Sequence, residues 1–119
     1  MSSVSIIIAT RDEPRLEQTV QGFLRELPND GEVVVVDDAS RSEATVAAVA
    51  VDPRVRVHRS PTRQGVARGR KSGARLAVGD LLVFADAHMA VGPRWLALLD
   101  QLDDPGVGQL VRRSSTARR

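Results

Sequence analysis

The chain has 119 residues, enough for one small domain, with 42% hydrophobic residues and a net charge of +2. It has no cysteine, which excludes disulfides and thiolate metal sites, and it has no apolar run near the roughly 18 residues of a membrane span. The opening "MSSVSIIIATRDE" lacks the basic region and long apolar run of a secretory signal, so a cytoplasmic setting is expected, or a peripheral one at the inner face of a membrane.

Val4–Ala9 is a short apolar run that predicts a buried strand. Asp12-Glu13-Pro14 carries the acids and proline of a helix start, and Leu16, Val20, Phe23, Leu24 and Leu27 follow at helical spacing. Pro28-Asn29-Asp30-Gly31 breaks that helix. Glu32–Val36 predicts a second strand, ending at Asp37-Asp38, and Ser42–Ala50 a short helix stopped by Asp52-Pro53. Arg54–His58 alternates charged and apolar residues, as a strand nearer the sheet edge does.

A third helix is expected from about Gly65 to Val78, with Gly79 as its C′ residue. Its small residues Ala67, Gly69, Gly73, Ala74 and Ala77 allow the backbone to sit close to a sheet or a ligand. Leu81–Ala85 is the most hydrophobic strand and runs into Asp86-Ala87-His88. Gly92-Pro93 opens a fourth helix whose Trp95, Leu98, Leu99 and Leu102 should face inward. Val107–Val111 is a candidate fifth strand, and 112–119 reads as a basic disordered tail.

This β-α alternation predicts an α/β, Rossmann-like fold: a mostly parallel sheet of four to five strands with helices on both faces. Ligands of such sheets bind beyond the carboxyl ends of the strands, where the strand order switches. Thr10-Arg11-Asp12, Asp37-Asp38 and Asp86-Ala87-His88 should therefore converge on one edge. Residues 53–79 hold eight basic side chains and no acid, including Arg68, Arg70 and Lys71. Together these clusters could serve a nucleoside diphosphate: acceptors for base and ribose, cations and a helix N-terminus for phosphate, and hard or borderline ligands for a divalent ion. Asp86 and His88 share one side of an extended chain, so both can reach one ion.

The stretches "VSIIIATRDE", "EVVVVDDAS", "RQGVARGRKSGARLAVGD" and "LLVFADAH", in this order, resemble the N-terminal half of family-two nucleotide-diphospho-sugar glycosyltransferases of the GT-A fold. Asp86-Ala87-His88 stands where that family carries its Asp-X-Asp metal motif. The Asp-X-His form, with Gly65-X-X-Arg68-X-Arg70-X-X-Gly73-Ala74 upstream, looks more like polypeptide N-acetylgalactosaminyltransferases and their bacterial relatives.

The resemblance implies that Thr10, Arg11, Asp12 and Glu13 line the nucleoside pocket and that Asp38, or Asp37, contacts uracil or ribose. It places Arg68 and Arg70 on the nucleotide, with Arg70 near the diphosphate. Asp86 and His88 would hold Mn2+ or Mg2+, the softer imidazole favouring manganese. The implied partners are a nucleotide-diphospho-sugar donor, most simply a UDP-sugar, and an acceptor glycan, lipid or protein.

The resemblance runs from about Val4 to Leu102, and residues 1–111 read as a nucleotide-sugar-binding half only, so catalysis by these residues alone is not expected. A missing C-terminal half or a partner would complete the site, and a homodimer is expected to bury the apolar surface left exposed. Blander readings stand beside these. Asp37-Asp38 could cap a turn, the basic helix could be a solvated face, His58 reads as a surface histidine, and Trp95 reads as core. A nucleotidyltransferase is disfavoured by Thr10–Pro14, which is not a Gly-rich basic loop. A non-catalytic nucleotide-sugar-binding or scaffolding module remains the alternative. No nucleic-acid partner is expected, because the basic run has no aromatic residue for base stacking.

Overall fold

The computed structural model describes residues 3–42, 44–99 and 109–112. In chain order these form β1 (Val4–Thr10), α1 (Leu16–Leu24), β2 (Glu32–Asp38), α2 (Ala44–Val49), β3 (Val55–Ser60), α3 (Val66–Leu76), β4 (Leu81–Asp86), α4 (Trp95–Leu99) and β5 (Gln109–Arg112). The five strands make one sheet in the order β3-β2-β1-β4-β5. β1 pairs parallel with β2 and β4, β2 pairs parallel with β3, and β5 runs antiparallel to β4. No helix of the described residues is long and apolar enough to cross a membrane.

The unbroken Val and Ile runs of β1 and β2 are explained by their central positions. Both strands are covered on both faces, so neither side of the pleat needs polar residues. β3 lies at the edge as expected, and its arginine-rich alternation leaves only Val55 fully buried.

Side-chain alternation divides the core in two. Ile6, Ile8, Val33, Val35, Val83 and Ala85 pack with Leu16, Val20 and Phe23 of α1, Val46 and Val49 of α2, and Trp95 and Leu99 of α4. Ile7, Val34, Val36 and Leu82 form the other layer, with Ala74 and Ala77. Trp95 is core, meeting Phe23 edge-on at 5.2 Å between ring centroids. The small residues of α3 act as foreseen. A Cβ on Gly73 would lie 2.5 Å from Ile7 Cγ2, and one on Gly69 would lie 3.1 Å from Ala9 Cβ. The helix therefore rests its backbone on the sheet.

Several boundaries differ from the sequence expectation. Asp12 does not open α1: it takes a left-handed backbone (φ 51°), and the helix begins at Leu16. The third helix ends at Leu76 because Ala77 turns extended. Gly79 is not its C′ residue. It lies against β1, where its N–H donates to Ser5 Oγ at 2.9 Å and a Cβ would come within 2.5 Å of that oxygen. α4 begins at Trp95, after Arg94 in a left-handed conformation (φ 65°). The fifth strand is Gln109–Arg112, so Arg112 belongs to the sheet and not to a tail. The side chain of Leu98, together with Leu102, Val107 and 113–119, lies outside the described residues.

Candidate functional site

From β1 the chain steps outward to β2 and β3. It then crosses back by α3, over the layer of Ile7 and Val36, to β4 on the far side of β1. The strand order thus switches between β1 and β4, the place where sheets of this kind form a crevice beyond the carboxyl ends of the strands. The register sets Thr10 opposite Asp37 and Ala9 opposite Asp86, which brings the three polar strand ends to one edge. Thr10 is buried there, and its Oγ1 has no hydrogen-bond partner among the described residues. A buried hydroxyl without a partner costs free energy unless something supplies one.

The adjacent aspartates of β2 face opposite sides of the sheet and have different occupations. Asp37, 1% exposed, accepts the Ser40 N–H at 3.2 Å and Arg59 Nη1 at 3.1 Å. Asp38 accepts the backbone N–H groups of Gln64 (2.6 Å) and Gly65 (2.9 Å), one on each carboxylate oxygen. It thereby fixes the start of α3, where Gly65 takes φ 90°, a conformation that suits glycine. Asp12 is a tie between loops: its N–H donates to Ser40 Oγ at 2.9 Å, and its Oδ1 accepts the Arg41 N–H at 2.8 Å. Arg11 is exposed beside it.

On the other side of the crevice, Arg70 of α3 places Nη2 3.5 Å from Asp86 Oδ1. Arg68 turns away to Gln64 Oε1 at 3.1 Å. Ala87 is buried between exposed Asp86 and His88; β4 ends at Asp86 and residues 87–88 form a turn, so the extended-strand spacing expected for the pair stops at Asp86. His88 Nδ1 lies 3.7 Å from Glu13 Oε1. Glu13 is held below the ordinary carboxylate pKa, first by the Arg15 backbone N–H and then by the Arg15 guanidinium. The structure therefore brings Glu13 to His88 and Arg70 to Asp86. Arg68, Asp12 and Asp37 are engaged elsewhere. Among the described residues no group of three or more His, Cys, Asp or Glu is placed to hold a metal.

Two residues of α1 and one just after it shape this edge without having been singled out in the sequence. Thr19 Oγ1, fully buried, lies 2.8 Å from the Ala87 carbonyl and 3.1 Å from that of Met89. Its one proton serves one carbonyl at a time, and Ala87 is nearer. A Cβ on Gly22 would come within 2.7 Å of Val91 Cβ, so the segment after β4 lies directly on the helix. Glu26 then accepts the N–H groups of Arg94 and Leu96 ahead of α4. The signal available in the sequence was a threonine inside the apolar stripe of Leu16, Val20 and Phe23, where a hydroxyl needs a reason.

Thr19→Val should strand the Ala87 carbonyl and cost about 1–3 kcal/mol in urea unfolding. It should also loosen the turn that carries Asp86 and His88, speeding amide hydrogen exchange there, with Thr19→Ser close to the parent. A stability loss with unchanged exchange in that turn would confine Thr19 to packing.

An open, mostly parallel sheet whose polar residues gather beyond β1, β2 and β4 is that of an α/β ligand-binding domain. Residues 5–115 match the sequence model of Glycosyl transferase family 2, and the chain belongs to that family. It is 37% identical over 113 residues to polypeptide N-acetylgalactosaminyltransferase 15 of Mus musculus, covering 87% of this chain and 18% of that protein. Among solved structures, a mannosyltransferase of Pyrobaculum calidifontis in complex with GDP-Man and Mn2+ superposes with a TM-score of 0.72 at 29% identity, over 87% of this chain and 33% of that one. GalNAc-T7 solved with UDP, GalNAc and Mn2+ superposes with a TM-score of 0.63 at 26% identity, over 74% of this chain and 18% of that one. The chain thus spans about a fifth of the length of the curated relatives it matches.

Proposed function

We propose that this chain is the donor-binding part of a glycosyltransferase that takes a nucleotide-diphospho-sugar, a UDP-sugar in the simplest case, together with a divalent cation. The observation that carries the reading is the convergence at the switch point of the unpartnered Thr10 hydroxyl, the Asp38-pinned start of α3 and the exposed Asp86 and His88. The relatives named above, with their bound nucleotides and Mn2+, support it.

In this reading Thr10 and Asp38 line the nucleoside pocket. Each oxygen of Asp38 accepts one backbone N–H and keeps a lone pair for the ligand. Asp37 and Asp12 hold the loops in place, as do the ties of Asp37 to Arg59 and Ser40. Arg70 serves the diphosphate.

The donor set suits a cation held jointly with a phosphorylated ligand. One carboxylate and one imidazole, both exposed, leave the other coordination positions to phosphate oxygens and water. Mn2+ fits a mixed O/N set somewhat better than Mg2+. When bound, the ion would neutralise charge on the departing diphosphate. Among the described residues every carboxylate at this edge already has a polar partner. We therefore assign activation of the acceptor hydroxyl to groups outside them.

Calorimetric titration with uridine diphosphate should show binding with Mn2+ and little without it. Equal affinity in EDTA would remove the cation from the account.

A further inference from the structure

The guanidinium of Arg70 stands beside Asp86, the carboxylate assigned to the cation above. Its Nη2 is 3.5 Å from Asp86 Oδ1, with the two side chains 36% and 59% exposed. An ion pair this open is weak, so Asp86 can give it up. The backbone beneath Arg70 is fixed by other means: Asp38 grips Gln64 and Gly65, and Gly69 and Gly73 seat α3 on the sheet. The seat of the helix is thus independent of the Arg70–Asp86 pair. The other basic side chains of α3 lie differently: Arg68 is turned to Gln64, and Lys71 and Arg75 are exposed.

We propose that Arg70 is an exchangeable stand-in for the cation. It neutralises Asp86 while the site holds no divalent ion, and it transfers its charge to the diphosphate once Asp86 has taken one. The proposal rests on the reading of Asp86 as a cation ligand and adds a coupling between the two binding events. Asp86 binds a lone cation only by giving up Arg70, whereas a cation arriving with diphosphate gives the released guanidinium a new anion. Arg70 should accordingly oppose the metal alone and favour the metal–diphosphate pair. A residue that merely stabilises the fold would not reverse sign in this way.

The test uses the 119-residue chain, with Mn2+ binding followed by the electron paramagnetic resonance of free Mn2+, with and without uridine diphosphate. Circular dichroism checks that each variant is folded. Arg70→Gln should bind Mn2+ alone about two- to five-fold more tightly than the parent, the range of an exposed ion pair. With uridine diphosphate present it should bind about tenfold or more weakly, the loss of a charged hydrogen bond. Arg70→Lys, which keeps the charge, should lie between. Arg75→Gln removes an equal charge further along the same helix and should change neither value appreciably. The proposal is overturned if Arg70→Gln binds Mn2+ alone no more tightly than the parent, or if Arg75→Gln reproduces the gain. A diphosphate affinity indifferent to Mn2+ in the parent would instead defeat the functional reading itself.

Discussion

Glu32→Ala is expected to cost the fold about 2–5 kcal/mol, the sum of stranded buried donors and a broken, partly buried ion pair. Glu32 opens β2 at the amino edge of the sheet, opposite the crevice. Its Oε2 accepts from Ser5 Oγ at 2.6 Å and from the Val78 N–H at 2.7 Å, and its Oε1 accepts Arg56 Nε at 3.0 Å. Arg56 in turn donates to the Leu76 carbonyl at the end of α3. One carboxylate thus joins β1, β2, β3 and the turn into β4. The charge itself contributes less than these bonds, because Arg56 is 48% exposed and solvent screens the pair. Glu32→Gln should therefore cost less, about 1–2 kcal/mol, since one acceptor oxygen survives. Urea unfolding of both variants checks this, and a loss below about 1 kcal/mol for Glu32→Ala would show that water substitutes for the carboxylate.

The largest effect on binding is expected at Asp38. Asp38→Ala removes the grip on Gln64 and Gly65 as well as the acceptor proposed for the nucleoside, so uridine and uridine diphosphate should both bind roughly five- to fifty-fold more weakly. Asp38→Asn should do little better. Each carboxylate oxygen receives a backbone N–H, and an amide nitrogen in either place would set donor against donor. Asp86→Ala should behave differently: Mn2+ should no longer improve diphosphate affinity, while weak uridine binding persists. Parallel titrations with uridine and uridine diphosphate, each with and without Mn2+, separate the two. Matching profiles for Asp38→Ala and Asp86→Ala would mean that the nucleoside and cation roles have been wrongly divided.

What the chain's sequence determined by itself was the set of elements and the edge on which chemistry would gather. Runs such as Ile6–Ile8, Val33–Val36 and Leu81–Val83 record burial on both faces, and burial follows from local composition. Acids at the strand ends, small residues along α3 and a core Trp95 were legible for the same reason. Tertiary structure alone decided the occupation of each polar group, because the partners lie far apart in sequence. Asp37 and Asp38 are neighbours with the same chemistry. One meets Arg59 and Ser40 and the other the start of α3, since the pleat sends them to opposite faces and the crossover covers only one of them. The helix signal of Asp12-Glu13-Pro14 yielded to bonds from Asp12 to the loop after β2, which local propensity does not register. Thr19 and Glu32 meet residues 68 and 46 positions away. Hydrophobic periodicity carries no record of such pairings, because a hydrogen bond depends on where two distant segments are brought together and periodicity reports only which side of each segment is dry.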